Sequence, residues 1–453
     1  MRGILWKNAS VPGSDLPYFK VGDVISGCSI KKNSLVFYFV AGFFPHSRAQ
    51  WMLVKNSGNI LLYYPCYGKK SGLSTINIRQ RVYMKRSIFG ERLAALRLRL
   101  EKTSSDTIWV IQPENRRYLS GFRAGDTQFT ESSGSLIINK RCAYLITDSR
   151  YSTEAVREAP DFKVITIKGH FVDELAGLVG RIRTKRLGFE QGYLTYELHK
   201  QIAGRLRNLK RPVRLSPVKG LVQEMRTIKD RAEIAVMRKA AALMSSILDN
   251  VISGLKPGCT EKGIAREIEV RVHESGADGL AFTPIVASGP NSALPHAEPT
   301  NRRIREKEPV ILDVGLRMKG YCCDMTRTVF LGTPGPKFRK IYRIVREAQL
   351  AALQHISDGI DSSYSDSIAR KIIRDAGFGE YFGHSLGHGV GLAVHEDPAL
   401  SPRRARRLEK GMVVTVEPGI YLPGKGGVRL EEMVVVCEKF PKILTKNNHY
   451  YDF

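Results

Sequence analysis

The chain has 453 residues, enough for two or three domains of ordinary size. Hydrophobic residues make up 43% of it and charged residues 25%, as in globular proteins. No apolar run approaches the roughly 20 residues that span a bilayer, and the first residues lack the apolar middle part of a signal peptide. We therefore expect a cytoplasmic protein that has no membrane partner.

The formal net charge is +27, a surplus that could indicate binding to nucleic acid. However, the basic residues are scattered, apart from Arg403, Arg404, Arg406 and Arg407. No zinc-finger or basic-zipper pattern is present. We interpret the charge as a basic solvated face and do not expect nucleic acid as a partner.

Residues 1–83 differ in composition from the rest of the chain. They hold eleven Lys and Arg residues but only two acidic ones, Asp15 and Asp23. One hypothesis is that Met84 is the biological start and that this basic extension is not translated natively. The alternative is a small appended basic domain, and an intact-mass measurement of the native protein distinguishes the two.

Residues 84–215 show α/β patterning. Apolar residues at helical spacing predict a helix over 91–102, and a second helix is predicted near 115–120. Short runs typical of strands cover residues 107–111, 136–139 and 143–147. Such alternation favours a sheet covered by helices.

A short extended stretch flanked by Pro212 and Pro217 predicts a domain boundary near residue 215. A long helix is predicted to begin near Asp230, because Asp230 and Glu233 have the spacing of a capping box. A second helix should run from Thr260 to Ser275, where Gly276 can end it. Further helices are predicted near residues 337–357 and 363–376.

Two apolar segments, 310–315 and 320–330, read as strands joined by a turn at 318–320. A hairpin centred there would place Asp313 opposite Asp324, with Cβ atoms roughly 4.5–5.5 Å apart. Two carboxylates at such a short distance repel each other unless a proton or a cation lies between them. A divalent metal would remove the repulsion.

The same reasoning applies to a second hairpin, in which residues 412–421 and 428–436 read as strands around a glycine-rich loop at 423–427. Glu417 and Glu431 lie symmetrically about Gly424 and are expected to converge. If the two hairpins pack together, four carboxylates meet in one place.

Between the hairpins, His384, His388 and His395 fall within a glycine-rich segment of a chain that has only ten histidines. Carboxylates with one imidazole suit Mn²⁺, Co²⁺ or Fe²⁺, and could hold Zn²⁺. Two such ions, roughly 3.5–4 Å apart, can share a bridging hydroxide and polarise a carbonyl group. A single acidic residue in a hairpin would more often be structural, so the hypothesis depends on the whole set.

From residue 216 to 436 these motifs resemble the pita-bread metallopeptidases, which include aminopeptidase P, prolidase, methionine aminopeptidase and the metal-free creatinase. Residues 86–215 resemble, more weakly, the N-terminal domain of the proline-specific members. The resemblance implies an α/β (α+β) fold, in which a pseudo-two-fold pita-bread domain (216–453) follows a smaller creatinase-like α/β domain (84–215). It also implies a homodimer.

The resemblance further implies the roles of individual residues. Asp313 binds one metal, Asp324 and Glu431 bridge both, and His388 and Glu417 bind the second. Glu417 also takes a proton from the bridging water. The other implied catalytic or substrate-binding residues are His296, His384, His395 and Arg429. Glu432 stands where an aspartate is common in the family.

The resemblance implies a dinuclear exopeptidase, most readily with Mn²⁺, whose bridging hydroxide cleaves the N-terminal Xaa-Pro bond of peptides. Bonds to proline are tertiary amides that lack the N–H group, so many proteases do not position them. One alternative is a prolidase restricted to Xaa-Pro dipeptides. The others are a binding protein of the same fold without peptidase activity and a metal-free hydrolase like creatinase.

Overall fold

The computed structural model of the chain describes residues 87–125, 132–446 and 449–453, together with the backbone of four strands between residues 29 and 63. The chain divides into two units, Met1–Arg86 and Ser87–Phe453. Met84 lies outside the described residues, so the hypothesis on the translation start stays a prediction, as do the domain limits.

The strands of the first unit form one antiparallel sheet in chain order. They are β1 (Ser29–Lys32), β2 (Leu35–Val40), β3 (Trp51–Asn56) and β4 (Asn59–Tyr63). The rest of the basic extension 1–83 lies outside the described residues.

The second unit begins with helices packed on a six-stranded sheet, as the sequence predicts. Its helices are α1 (Ile88–Leu100), α2 (Pro113–Ser120), α3 (Ser152–Glu158), α4 (Phe171–Arg181) and α5 (Tyr196–Arg207). Its strands are β5 (Thr107–Val110), β6 (Ser135–Asn139), β7 (Ala143–Thr147), β8 (Lys163–Thr166), β9 (Arg186–Glu190) and β10 (Arg214–Val218). The strand order is β10-β9-β5-β6-β7-β8.

The proline-flanked stretch near residue 215 is the edge strand β10 of this sheet, parallel to β9. An edge strand tolerates Pro217 because one of its sides has no hydrogen-bonding neighbour. After β10 the chain forms the short helix α6 (Gln223–Thr227). The remainder, residues 228–453, corresponds to the domain that the resemblance describes as catalytic and is called the catalytic part below.

The predicted helices of the catalytic part are confirmed as α7 (Arg231–Gly254), α8 (Glu261–Glu274), α9 (Pro336–Gln354) and α10 (Ser362–Asp375). The capping box of α7 is complete, since Asp230 accepts from the backbone of Glu233 and Glu233 accepts from that of Asp230. Thr260 caps α8, which ends before Gly276, a residue with a left-handed φ of 76°.

Short strands alternate with these helices. They are β11 (Gly279–Leu280), β12 (Ile285–Ser288), β13 (Pro309–Val314), β14 (Leu316–Met318), β15 (Tyr321–Cys322), β16 (Met325–Phe330), β17 (Gly387–Gly389), β18 (Glu396–Leu400), β19 (Val413–Val416), β20 (Gly419–Leu422), β21 (Gly426–Arg429), β22 (Glu432–Val435) and β23 (Lys442–Ile443). They form sheets of the orders β11-β14-β15, β12-β13-β16 and β18-β17-β19-β22-β23, and a two-stranded sheet of β20 and β21.

Each half of the catalytic part has its own apolar core. Residues of α7 and α8 pack with β13 in one buried cluster, and residues of α9 and α10 pack with β19 in another. Two helix pairs on either side of the strands match the pita-bread architecture that the resemblance implies. In the described part of the chain, no helix is long and apolar enough to cross a membrane.

The predicted pairing of Asp313 with Asp324 is wrong by two residues. In the first hairpin (β13 to β16), Asp313 lies opposite Thr326, because the turn consists of Lys319 and Gly320 and not of three residues. Both turn residues have positive φ, 50° and 85°, as a tight two-residue hairpin turn requires. A shift of two positions keeps a side chain on the same face of a strand.

The register predicted for the second hairpin (β19 to β22) is confirmed. Ile420 pairs with Val428 and Val416 pairs with Glu432, which places Glu417 and Glu431 at facing positions. Neither glutamate belongs to a strand, since the ladder is interrupted at both. This interruption is not predicted by the sequence pattern.

Candidate metal centre

Three ligand-type side chains converge beneath the two hairpins. One donor atom each of Asp324, His388 and Glu431 lies within 4.8 Å of the other two. The Nε2 atom of His388 is 3.6 Å from Asp324 Oδ2 and 3.3 Å from Glu417 Oε1. Four of the five predicted ligands are therefore neighbours.

Asp313, the fifth predicted ligand, is held by a buried arginine. Arg429 NH2 donates to Asp313 Oδ2 at 2.6 Å, and its Nε donates to Thr326 Oγ1 at 3.2 Å. Thr326 Oγ1 in turn donates to Glu431 Oε2 at 2.8 Å. The Thr326 hydroxyl thus connects the guanidinium of Arg429, which holds Asp313, to the carboxylate of Glu431.

The imidazole of His388 faces these carboxylates with a lone pair. Its Nδ1 donates to Gly389 O at 3.0 Å, so Nε2 carries no proton in the neutral ring. Burial lowers the pKa of His388 and favours this neutral form. A lone pair next to carboxylate oxygens is repulsive unless a proton or a cation lies between them.

Other electrostatic features also fit a cation. Among the described residues, Asp313 Oδ1 and Glu431 Oε1 are buried without a hydrogen-bond partner. Burial, followed by the charges of Asp313 and Glu417, raises the pKa of Asp324 well above its usual range. Burial and the charge of Asp324 do the same for the pKa of Glu431. Unpaired oxygens on crowded buried carboxylates are suitable donors for hard divalent ions.

Two glycines allow the strand that carries His388 to approach its neighbours. A Cβ atom on Gly387 would lie 2.0 Å from Thr415 O, and one on Gly389 would lie 2.4 Å from Asp397 O. Both glycines have ordinary negative φ values, so close packing and not an unusual backbone conformation excludes side chains here. Thr415 also fixes the site directly, because its hydroxyl accepts from His388 N and donates to Glu417 Oε1.

The remaining predicted residues surround this centre. The ring of His395 packs edge-on against His388, with centroids 4.2 Å apart. His384 Nε2 lies 2.9 Å from the hydroxyl of Tyr421, which also accepts from Arg429 NH1 at 2.9 Å. His296 is exposed, in the segment whose Pro295 carbonyl accepts from Arg429 NH1.

Comparison with known proteins agrees with this arrangement. The sequence model of metallopeptidase family M24 matches residues 235–438, and that of the creatinase/prolidase N-terminal domain matches residues 92–228. An uncharacterized peptidase of Bacillus subtilis is 37% identical over 78% of this chain and 97% of its own length. The chain belongs to metallopeptidase family M24. Membership makes it a peptidase and implies divalent metal ions.

Several relatives of this M24 peptidase are named for cleavage of Xaa-Pro substrates. A Xaa-Pro dipeptidase of Pyrococcus furiosus is 35% identical over 79% of this chain and 98% of that protein. The solved structure of a Xaa-Pro dipeptidase from Bacillus anthracis superposes with a TM-score of 0.74 at 37% identity, covering 80% of this chain and 98% of that one. An X-Pro aminopeptidase from Thermotoga maritima gives 0.69 at 36% identity, covering 78% and 98%.

Sequence reasoning missed three supporting residues of the M24 site: Thr326, Thr415 and Tyr421. Each has a signal in the sequence, in the segments that read as strands. Thr326 and Thr415 lie two positions from the predicted ligands Asp324 and Glu417, and Tyr421 follows Glu417 by four. Residues two apart on a strand share a face. Polar residues at such positions in otherwise apolar strands are candidates for holding the ligands.

Proposed function

We propose that this M24 peptidase is a dinuclear exopeptidase that removes the N-terminal residue of peptides with proline in the second position. The proposal rests on one observation above all, the convergence of Asp324, His388, Glu417 and Glu431 around unpaired buried oxygen atoms. The relatives named for Xaa-Pro cleavage supply the substrate class.

Two divalent ions, for which we propose Mn²⁺, would be held by Asp313, Asp324, His388, Glu417 and Glu431. When bound, a pair of divalent ions supplies an activated water and polarises the scissile carbonyl. Residues of the chain perform the remaining tasks.

Glu417 is the proposed proton acceptor. It lies beside the centre, where Thr415 orients one of its oxygens at 3.1 Å. Burial raises the pKa of Glu417, which brings the carboxyl closer to the range in which it can both take and return a proton. This rise describes the metal-free protein, and the charge of an ion opposes it.

His296 and His395 are the proposed contacts to the substrate carbonyl and to the negative charge that develops on it. Burial, followed by the neighbouring His388 and His296, lowers the pKa of His395. A neutral imidazole with a free N–H can donate to an oxyanion. His384, Tyr421 and Arg429 form a connected group that would orient the substrate chain.

The length of the substrate defines two candidates. The Pyrococcus furiosus and Bacillus anthracis proteins are named for dipeptides, whereas the Thermotoga maritima protein is named as an aminopeptidase. An enzyme that acts only on dipeptides must recognise the free carboxylate of proline. An aminopeptidase must instead leave space for the residues that follow proline.

Turnover of three matched substrates tests both candidates: Met-Pro, Met-Pro-Ala and Met-Ala-Ala, each with and without Mn²⁺. The proposal expects cleavage of the tripeptide before proline, dependence on the metal, and no cleavage of Met-Ala-Ala. Cleavage of Met-Pro alone would show a prolidase. If none of the three substrates is cleaved with Mn²⁺, Co²⁺, Fe²⁺ or Zn²⁺, the proposed Xaa-Pro exopeptidase activity is wrong.

We also propose a homodimer in the cytoplasm, as the resemblance and the composition favour. Light scattering of the purified protein measures the mass directly. A mass of about 51 kDa, that of one chain, would contradict the dimer.

A further inference from the structure

A chain of buried polar side chains crosses from the six-stranded domain into the catalytic part and ends beside His395. Its members, two acidic, two basic and one neutral, are connected by hydrogen bonds. They are Glu190, Asn115, Arg226, Glu396 and Lys229. None of them belongs to the predicted metal or substrate set.

The catalytic end of this chain is Glu396, the residue after His395. Its two oxygens accept separate cations: Arg226 NH2 at 2.5 Å on Oε2 and Lys229 Nζ at 2.7 Å on Oε1. The side chains of Arg226, Lys229 and Glu396 are only 4%, 1% and 10% exposed. Two cations on one buried carboxylate fix its position more strictly than a single ion pair does.

The other end lies in the six-stranded domain. Arg226 NH1 donates to Asn115 Oδ1 at 2.8 Å, and Asn115 Nδ2 donates to Glu190 Oε1 at 2.5 Å. Glu190 is fixed in turn, because its Oε2 accepts from the backbone of Ile111 and Gln112 at 2.6 and 2.7 Å. The position of Arg226 therefore depends on α2 and on the end of β9.

Glu396 is tightly coupled to the backbone around His395. It is the first residue of β18 and pairs with Gly389, which adjoins His388. A Cβ atom on Gly391 would lie 2.3 Å from Glu396 Oε1, so the carboxylate packs directly on the loop that leads to His395. Moving this carboxylate would move the loop on which the imidazole is carried.

We propose that Glu396, clamped by Arg226 and Lys229, is a positioning residue for His395, and that the six-stranded domain sets the place of this imidazole through Asn115. Burying four charges is a weak way to gain stability, since desolvation offsets most of the attraction. A conformational role accounts better for their arrangement. The proposal rests on the proposed function only where it assigns a task to His395.

A double-mutant cycle of turnover tests the coupling. Glu396→Gln keeps the volume and removes the charge, and it should lower kcat on Met-Pro-Ala about 10-fold or more, as outer partners of active-site groups do. In a His395→Ala background the same change should cost less than about twofold. An equal cost in both backgrounds would overturn the proposal, because a general loss of structure does not depend on His395.

Glu233→Gln is the matched control. Glu233 is also a buried carboxylate and pairs with Arg92 of the six-stranded domain at 3.2 Å, and its polar partners are Arg92, Asp230 and Tyr321, none of them in the loop of His395. Whatever this variant costs in activity, the cost should be the same in both backgrounds.

Histidine NMR of the metal-free protein gives a readout that does not need turnover. The His395 ring resonance, assigned through its loss in His395→Ala, should shift in Asn115→Ala, a neutral change outside the catalytic part, and stay in place in Glu233→Gln. An unmoved resonance in Asn115→Ala would overturn the positioning role, even if Glu396→Gln fails to fold. If the unaltered enzyme cleaves no substrate, the proposed function is wrong, but this measurement still tests whether Asn115 influences the position of His395.

Discussion

Each hairpin of the candidate metal centre contacts the other through one arginine, but the two arginines bind different groups. Arg429 of the second hairpin reaches the side chains of Asp313 and Thr326 in the first. Arg327 of the first hairpin reaches the backbone carbonyl of Glu431 at 2.5 Å and the carboxylate of Glu432 at 3.1 Å. One arginine therefore binds a side-chain oxygen of a proposed ligand, and the other binds the backbone of one.

Because of this difference, we expect one arginine to affect mainly activity and the other mainly stability. Arg327 is completely buried, and its partner Glu432 also accepts from the hydroxyls of Thr445 and Tyr450. The carboxylate of Glu432 reaches all three groups. Loss of Arg327 should affect mainly folding, whereas loss of Arg429 should affect mainly turnover and metal binding.

The largest effect is expected from Asp324→Asn, which removes one charge from the centre. Turnover should fall below detection, because a ligand shared by two cations needs its full negative charge. The metal-free variant should nevertheless be at least as stable as the unaltered protein, since one repulsive carboxylate is gone. Steady-state kinetics and thermal unfolding measure the two effects.

The control for Asp324→Asn is Asp278→Asn. Asp278 Oδ2 accepts from Gly320 N at the tip of the same hairpin, outside the ligand set. This variant should keep its turnover. Near-normal activity in Asp324→Asn would refute the ligand assignment.

Arg327→Gln should cost about 3–5 kcal/mol of unfolding free energy, because it leaves the buried Glu432 carboxylate without its cation. Denaturant unfolding of the metal-free protein measures this loss. At temperatures where the variant stays folded, kcat should change far less than in an Arg429 variant. A variant of normal stability and low kcat would abolish the distinction between the two arginines.

Arg429→Gln should lower kcat/KM or metal affinity about 10–100-fold, the range found for groups that orient metal ligands. Asp313 and the Tyr421 hydroxyl would both lose their guanidinium partner. Kinetics together with titration of Mn²⁺ measure the effect. An effect confined to stability would show that both arginines serve the scaffold.

A smaller effect concerns pH. The pKa values of Asp324, Glu417 and Glu431 are raised in the folded metal-free protein, mainly by burial. The folded state then binds protons more tightly than the unfolded state, so these groups should make the metal-free protein less stable as the pH rises above about 4–5. Thermal unfolding between pH 5 and 8 should show this decline, and both Mn²⁺ and Asp324→Asn should reduce it.

Local patterns predicted the helices of the catalytic part, their caps and the register of the second hairpin. The predicted register of the first hairpin is wrong because it includes Met318 in the turn, whereas the turn consists only of Lys319 and Gly320. The face on which Asp313 and Asp324 lie survived this error, since the shift is an even number. Thus the ligand set could be proposed from an incorrect pairing.

Contacts between distant segments were not predictable in this way. Arg226 and Glu396 are 170 positions apart, and nothing in either local sequence indicates that they meet. The same holds for Arg327 and Glu432, because buried ion pairs have no periodic signature. Their identification depends on the packing of whole domains.

The crowded backbone at Gly387 and Gly389 has a consequence for engineering new specificities. Any larger residue there would push Thr415 or Asp397 aside and carry the imidazole of His388 with it. Libraries for altered substrate choice should therefore leave this strand unchanged. They should vary exposed positions near the proposed substrate contacts instead, such as Leu294, which is 58% exposed and lies two residues before His296.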